Sequence, residues 1–259
     1  MTARILRVIA VFLGFLVVWE GLVRLFAVPT WFLPAPLVIF AELATDPYIY
    51  LINSLDTLMT TLLGFAAAFV AGVALAIAIV YSRVLENTLY TLLVSFNSIP
   101  KIALAPLFII WLGTGLKSKV AVSFLIAFFP IVIDMVLGLR STDPEALNLF
   151  KTMHGSPFKA LVKIRFPNAL PYLFAGLKVA ISLALVGAVA GEFIASQSGL
   201  GYLILTAQGM FFTPRVFAAI LLLGVMGTIL FYLVDLAERL ICPWHVAHRD
   251  ELLGAPARG

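Results

Sequence analysis

Six apolar runs, each near the roughly 20 residues that carry a helix across a hydrocarbon layer, alternate with short polar stretches. They are Ile5 to Phe26, Leu55 to Tyr81, Leu89 to Leu112, Val120 to Leu139, Leu170 to Phe193 and Val216 to Leu240. The pattern predicts an all-α polytopic membrane protein with six transmembrane helices. Between the first two runs, Val28 to Asn53 carries four prolines and an apolar stretch, Leu37 to Leu43, too short to span and suited to the interface. Pro100 and Pro106 interrupt the third run and Pro130 kinks the fourth. A broken span lines a path or a protein interior rather than facing lipid.

The polar stretch from Ser141 to Pro171 breaks this monotony. Asp143-Pro144 and Ser156-Pro157 each pair an N-cap with proline at the first helical position, and Gly155 separates them. Two short amphipathic helices are expected. In the second, Phe158, Leu161 and Val162 share one face while Lys159 and Lys163 occupy another. Such a helix has an apolar side for docking and a basic side for solvent.

Composition agrees with a membrane protein: 63% of residues are hydrophobic, 12% are charged and mean hydropathy is +1.10, against about 25% charged in an ordinary soluble domain. No small-residue cleavage site follows Trp19, so the first run is expected to be retained as a helix. Cys242 is the single cysteine, which excludes an internal disulfide framework. The formal charge of +4 suits the positive-inside rule and needs no nucleic acid. Arg4, Arg7, Arg83, Arg140, Lys151, Lys159, Lys163, Arg165, Arg239, Arg249 and Arg258 fall on one side, and only Arg24, Lys117, Lys119 and Arg215 on the other. Both termini and the polar stretch are therefore expected in the cytosol, and Gln197 to Pro214 outside.

The ionisable residues within spans are Glu20, Lys101, Asp134, Lys178, Glu192 and Asp235, and such groups are costly enough to be functional candidates. Lys101 follows Pro100 in the broken span, with Asn97 and Ser98 nearby; it serves an anionic solute, pairs with a carboxylate such as Asp134, or snorkels. Ser182 adds a hydroxyl on the fifth span. Glu192 either caps the outer loop or makes an interhelical pair, and Lys178 and Arg140 read as snorkelling helix-end charges. His154, His245 and His248 have no partner at convincing ligand spacing, so no metal site or cofactor is expected. A P-loop needs a Gly-Lys pair, and none occurs, which points to no ATP hydrolysis by this chain.

Several motifs together carry a resemblance: Asp143-Pro144-Glu145, Lys163-Ile164-Arg165-Phe166-Pro167-Asn168-Ala169-Leu170-Pro171, Gly176-Leu177-Lys178, Glu192 and Ser198-Gly199-Leu200-Gly201-Tyr202, with Ile99 to Leu107 and Trp111 to Gly115 upstream. With these the chain resembles binding-protein-dependent ABC transporter permeases, specifically the nitrate/sulfonate/taurine group, from Leu55 to Trp244. It departs from that group in the cytosolic loop: the Glu-Ala-Ala triplet falls on Asn148-Leu149-Phe150 and the following glycine on His154, with Gly155 one place late.

The resemblance implies the type I, MetI-like importer fold and a permease without enzymatic activity. Its implied partners are two cytosolic ATP-binding subunits, a second permease copy or paralogue, an external solute-binding protein and the lipid of a bacterial inner membrane. Residues 1–54 would form the first helix and an external interfacial segment, 55–240 the permease core with its coupling segment at 141–169, and 241–259 a cytosolic tail. Glu145, His154, Gly155, Ser156, Pro157, Phe158, Leu161 and Pro167 would contact or shape the ATPase coupling surface, while Asn97, Ser98, Lys101, Ser182 and Glu192 would border the substrate path. Cargo in this group includes nitrate, alkanesulfonates, taurine, aromatic carboxylates, thiamine pyrimidine precursors and riboflavin-like solutes, and the run from Gly187 to Phe193 leans toward the organic solutes. The competing class is a self-contained channel or ion-coupled carrier.

Overall fold

The computed structural model describes residues 2–245 apart from 87, 89, 90 and 98. The first helix, α1 (Thr2–Leu25), leads to α2 (Pro36–Thr45) and then to α3 (Pro47–Tyr81). The Asp46 carboxylate accepts a hydrogen bond from Ile49 N–H at 3.3 Å, and Pro47 supplies the preset φ. This cap starts α3 eight residues ahead of its apolar run, inside the segment expected to be interfacial. At 35 residues, or roughly 52 Å, α3 overshoots a hydrocarbon layer of about 30 Å.

The third apolar run is not one helix. After the short turn α4 (Arg83–Leu85), it is divided among α5 (Thr91–Asn97), a 3-10 turn at Lys101–Leu104 and α6 (Ala105–Leu112). Pro100 sits in extended backbone before the 3-10 turn, as a residue without an N–H donor does where a ladder stops. Then follow α7 (Leu116–Arg140), α8 (Pro144–Thr152), α9 (Pro157–Ala160), a π-helical turn at Leu161–Arg165, α10 (Phe166–Ala195), α11 (Leu200–Gly209) and α12 (Thr213–Ile241). Among the described residues, four helical stretches are long and apolar enough to cross a membrane: Pro47–Tyr81, Leu116–Arg140, Pro157–Ile194 and Thr213–Ile241.

Helix α7 lies between α3 and α10, and small residues let the three backbones close. A Cβ on Gly187 of α10 would stand 2.7 Å from the Ser123 Cα of α7, and one on Gly72 of α3 would stand 2.9 Å from the Ile131 side chain. Ala68, Ala76, Ala180, Ala184 and Ala188 are fully buried along the same seams. Lipid offers no hydrophobic drive between helices, so close van der Waals contact and interhelical hydrogen bonds hold them; Ser123 supplies one, donating to Ala184 C=O at 2.9 Å.

Charged side chains mark both ends of the bundle. At one end Glu42 of α2 accepts from Tyr50 at 3.0 Å and Arg215 at 2.9 Å, joining α2, α3 and α12. At the other, Lys178 of α10 reaches both Asp235 and Glu238 of α12, each at 2.5 Å. Lys178 is thus an interhelical counter-ion rather than the snorkelling charge expected from its position. Cys242, the residue after α12, lies buried with Leu139, Leu161 and Ala169.

Candidate functional site

Two polar assemblies stand at opposite ends of α10. At the end shared with Tyr81, Arg140 and Cys242 lies the segment 141–169. Asp143 caps α8 by accepting from Glu145 N–H at 2.8 Å, and Ser156 caps α9 by accepting from Lys159 N–H at 3.3 Å. The segment is anchored to α3, where Tyr81 donates to Pro157 C=O at 2.8 Å; within it Asn168 donates to Ser141 at 2.9 Å, and Arg140 just before it pairs with Glu86 at 2.8 Å.

The turn between α8 and α9 is made differently from the sequence expectation. His154, not Gly155, has the left-handed backbone, at φ +58; the side chain costs strain there that glycine would not. Gly155 is needed for space, because a Cβ on it would overlap the Phe150 ring. His154 therefore occupies the position where the resembled group places its glycine.

Leu161 is only 8% exposed and packs inward, so it anchors the segment instead of joining an outward docking face. The exposed apolar side chains are Leu149 at 65%, Met153 at 72%, Phe158 at 71% and Val162. Leu149 and Met153, on α8 and at its end, add two exposed apolar side chains to those of the second short helix. Glu145, Ser156 and Pro157 are exposed as well. Pro167 lies one residue past the π turn, where Phe166 N–H reaches back five residues to Leu161 C=O. That wider turn relieves the clash a proline makes with the carbonyl four residues earlier. From Pro157 to Ile194 the chain is one helical rod.

At the far end of the rod, Glu192 is 1% exposed. Its carboxylate accepts from Thr57 Oγ1 at 2.8 and 3.1 Å and from Gly201 N–H at 2.8 Å. Thr57 Oγ1 in turn accepts from Leu200 N–H at 2.8 Å, and Asn53 Oδ1 accepts from Gly199 N–H at 2.7 Å. Asp56 takes Ser198 at 3.0 Å and Lys119 of α7. The Ser198-to-Gly201 motif is thereby explained: Gly199 has φ +107, and a Cβ at either glycine would press into the Glu192 side chain. A carboxylate at the start of α11 also meets the positive end of that helix.

The remaining path candidates are dispersed. Ser98 and the Asn97 side chain lie outside the described residues. The Lys101 ammonium stands 4.6 Å from the Phe129 ring centroid. Ser182 faces out from α10 and donates to Lys178 C=O at 3.3 Å. It belongs to an exposed stripe of Asn168, Tyr172, Ala175, Val179, Ser182, Val186 and Phe193, spaced by threes and fours except for one full double turn. Beside its half nearer Glu192 lies an apolar groove of about 720 Å³, bordered by Ile102, Val189, Phe193 and Leu223.

The geometry is that of a helical membrane bundle with exposed apolar side chains on a short helical pair between two spans. Residues 68–241 match the family described as binding-protein-dependent transport system inner membrane component, and the chain belongs to it. It is 36% identical to the riboflavin transport permease RibX of Chloroflexus aurantiacus, over 90% of this chain and 87% of that one. With the formylaminopyrimidine transport permease ThiX of Halalkalibacterium halodurans it shares 33%, over 90% and 93%. With the putative aliphatic sulfonates permease SsuC of Bacillus subtilis it shares 29%, over 88% and 83%. Its fold matches a chain of the inward-facing MetNI methionine ABC transporter with a TM-score of 0.67 at 17% identity, covering 76% of this chain and 98% of that one. The chain is thus a permease subunit of an ABC importer with the MetI-like fold, and ATP hydrolysis belongs to a partner subunit.

Proposed function

We propose that α8, α9 and the turn between them are the coupling element, seated in a cleft of a cytosolic ATP-binding subunit. The exposed patch of Leu149, Met153, Phe158 and Val162 carries this reading. It is apolar, it stands on a segment held to α3 through Tyr81 and packed into the core through Leu161, and its basic flank is solvated. Two ATP-binding subunits would serve two permeases, this chain and a second copy or close paralogue, with a solute-binding protein at the Glu192 end. Both termini and residues 141–169 then face the cytosol of a bacterium, in keeping with the excess of Lys and Arg at that end.

The solute best suited to this chain is a flat organic molecule. Toward the Glu192 end, the α10 stripe that would line the path between two permeases offers Ala175, Val179, Val186 and Phe193 around the Ser182 hydroxyl, with Tyr172 and Asn168 nearer the other end. Such a wall favours stacking and apolar contact over a small hydrated anion, and the relatives named for riboflavin and a formylaminopyrimidine support the same class.

A photo-crosslinking side chain tests the docking. Placed at Met153 or Phe158 in the assembled transporter, it is expected to capture the ATP-binding subunit, while the same group at Trp111 captures none. Capture at Trp111 but not at Phe158 would remove the assignment. For the cargo, binding of flavins and pyrimidines to the partner solute-binding protein, against sulfonates and nitrate, decides the class.

A further inference from the structure

We infer that Glu192 and Thr57 form a rigid joint that makes α11 and the outer end of α3 travel with α10, so that ATP-driven movement reaches the outer face without slack. The inference deepens the docking reading and rests on it for the source of the force. Its geometric basis is the single rod from Pro157 to Ile194, which starts at the coupling patch and carries Glu192 near its last turn. From 157 to 192 a helix measures roughly 52 Å, so a displacement applied at one end of a stiff rod appears at the other.

What happens there depends on how tightly the next elements are held. The Glu192 carboxylate takes Thr57 O–H and Gly201 N–H, Thr57 takes Leu200 N–H, and Asn53 takes Gly199 N–H. The first N–H groups of α11, which a helix leaves without internal partners, are thus bound by side chains of α10 and α3. Asp56 extends the array through Ser198 and through Lys119 of α7. Opening this array would strand a carboxylate that is 1% exposed, and the two glycines leave no void into which the loop can shift. A latch that must open in each cycle would need an alternative partner for Glu192; a joint needs only the partners it has. Glu192 is on this account a positioning residue, held away from the solute.

Thr57→Val keeps the side-chain shape and removes the hydroxyl that both Glu192 and Leu200 use; Thr57→Ser keeps the hydroxyl. Spin labels at Val70 on α3 and Leu205 on α11, both exposed, report the distance across the joint in the complete transporter in lipid vesicles, nucleotide-free and trapped with ATP and vanadate. The expected result is one narrow distance, the same in both states for the wild type and for Thr57→Ser, with a distribution broadened past the wild-type half-width in Thr57→Val. A wild-type distance that changes between the two states overturns the inference, because the joint then opens. A Thr57→Val distribution equal to wild type in the nucleotide-free protein also overturns it, and that comparison requires no docking. Failure of the docking reading shows separately, as loss of association with the ATP-binding subunit.

Discussion

Phe158→Ala isolates the coupling surface from the stability of the permease. The side chain is 71% exposed and stands on a four-residue helix whose cap, Ser156, is untouched by the change. A Phe buries on the order of 200 Å² when fully covered, so docking would cover about 140 Å² that solvent now reaches. At roughly 25 cal/mol per Å² that is about 3.5 kcal/mol. Association realises only part of such area energy, so about 2–3 kcal/mol is expected. With about 1.4 kcal/mol for each tenfold, affinity for the ATP-binding subunit falls roughly 30- to 150-fold, while thermal unfolding of the purified permease stays within about 0.5 kcal/mol of wild type. Phe158→Asp, which also brings a charge to an apolar contact, is expected to abolish ATP-coupled uptake with membrane insertion intact. The measurement is titration of detergent-solubilised permease with the ATP-binding subunit. Binding of Phe158→Ala within threefold of wild type, in a protein of unchanged stability, would refute the apolar docking surface.

His154→Gly is expected to stabilise the permease by about 0.5–1 kcal/mol, since it removes a left-handed non-glycine residue at some cost in chain entropy; Gly155→Ala one position later is expected to destabilise it through overlap with Phe150, and thermal unfolding in detergent compares the two. Lys178→Met should cost about 3–5 kcal/mol by leaving Asp235 and Glu238 as buried charges without their shared cation. Adding Glu238→Gln should recover part of that loss, so a double-mutant cycle reads the coupling directly. Cys242 is expected to resist maleimide at neutral pH in the folded protein: burial, with the Glu238 carboxylate nearby, pushes its thiol above the ordinary range and keeps it protonated. Alkylation should rise with increasing pH or on unfolding, and rapid labelling of the native protein at pH 7 would contradict the buried placement.

Features written in neighbouring residues were legible in the sequence, and those that depend on distant partners were not. The caps at Asp143 and Ser156 and the break at Pro100 are local effects, and they recur in the structure where the side chains put them. The sequence resemblance likewise pointed to the importer fold. Leu161 was misplaced because an i, i+3, i+4 pattern defines a face but not which edge of it turns toward the core; that depends on Leu139 and Ala169 in other helices. Lys178 looked like a snorkelling charge because its two carboxylates lie 57 and 60 residues away. For Glu192, the Gly201 contact is nine residues off and within reach of sequence reasoning, whereas Thr57 is 135 residues away. The start of α3 was missed for a simpler reason: an apolar run marks where lipid begins, while Asp46 and Pro47 mark where the helix does.

The distribution of burial bears on the choice between a driven permease and a self-contained channel. Helices α7 and α10 spend their small residues on each other and on α3, which closes the centre of the subunit with side chains and backbone. A channel built from one copy would need a continuous polar passage there, whereas the polar side chains on these seams are few and separated: Ser123 donates to Ala184 C=O, Thr61 donates to Thr57 C=O, and Asp134 lies against Gly176. The outward stripe of α10 is different: it carries Asn168, Tyr172 and Ser182 on the face of a buried helix that turns away from the subunit. Asn168 and Ser182 each donate one hydrogen bond within the subunit, to Ser141 and to Lys178 C=O, and facing lipid their remaining hydrogen-bonding capacity would go unused. Facing a second permease, they form one wall of a passage whose other wall the partner supplies. Flux through such a passage requires movement of one wall against the other, and the helix that bears the stripe is the same rod that ends at the coupling patch. On this reading the purified chain alone carries no solute, and transport by it in vesicles without ATP or an ATP-binding subunit would restore the carrier as the better account.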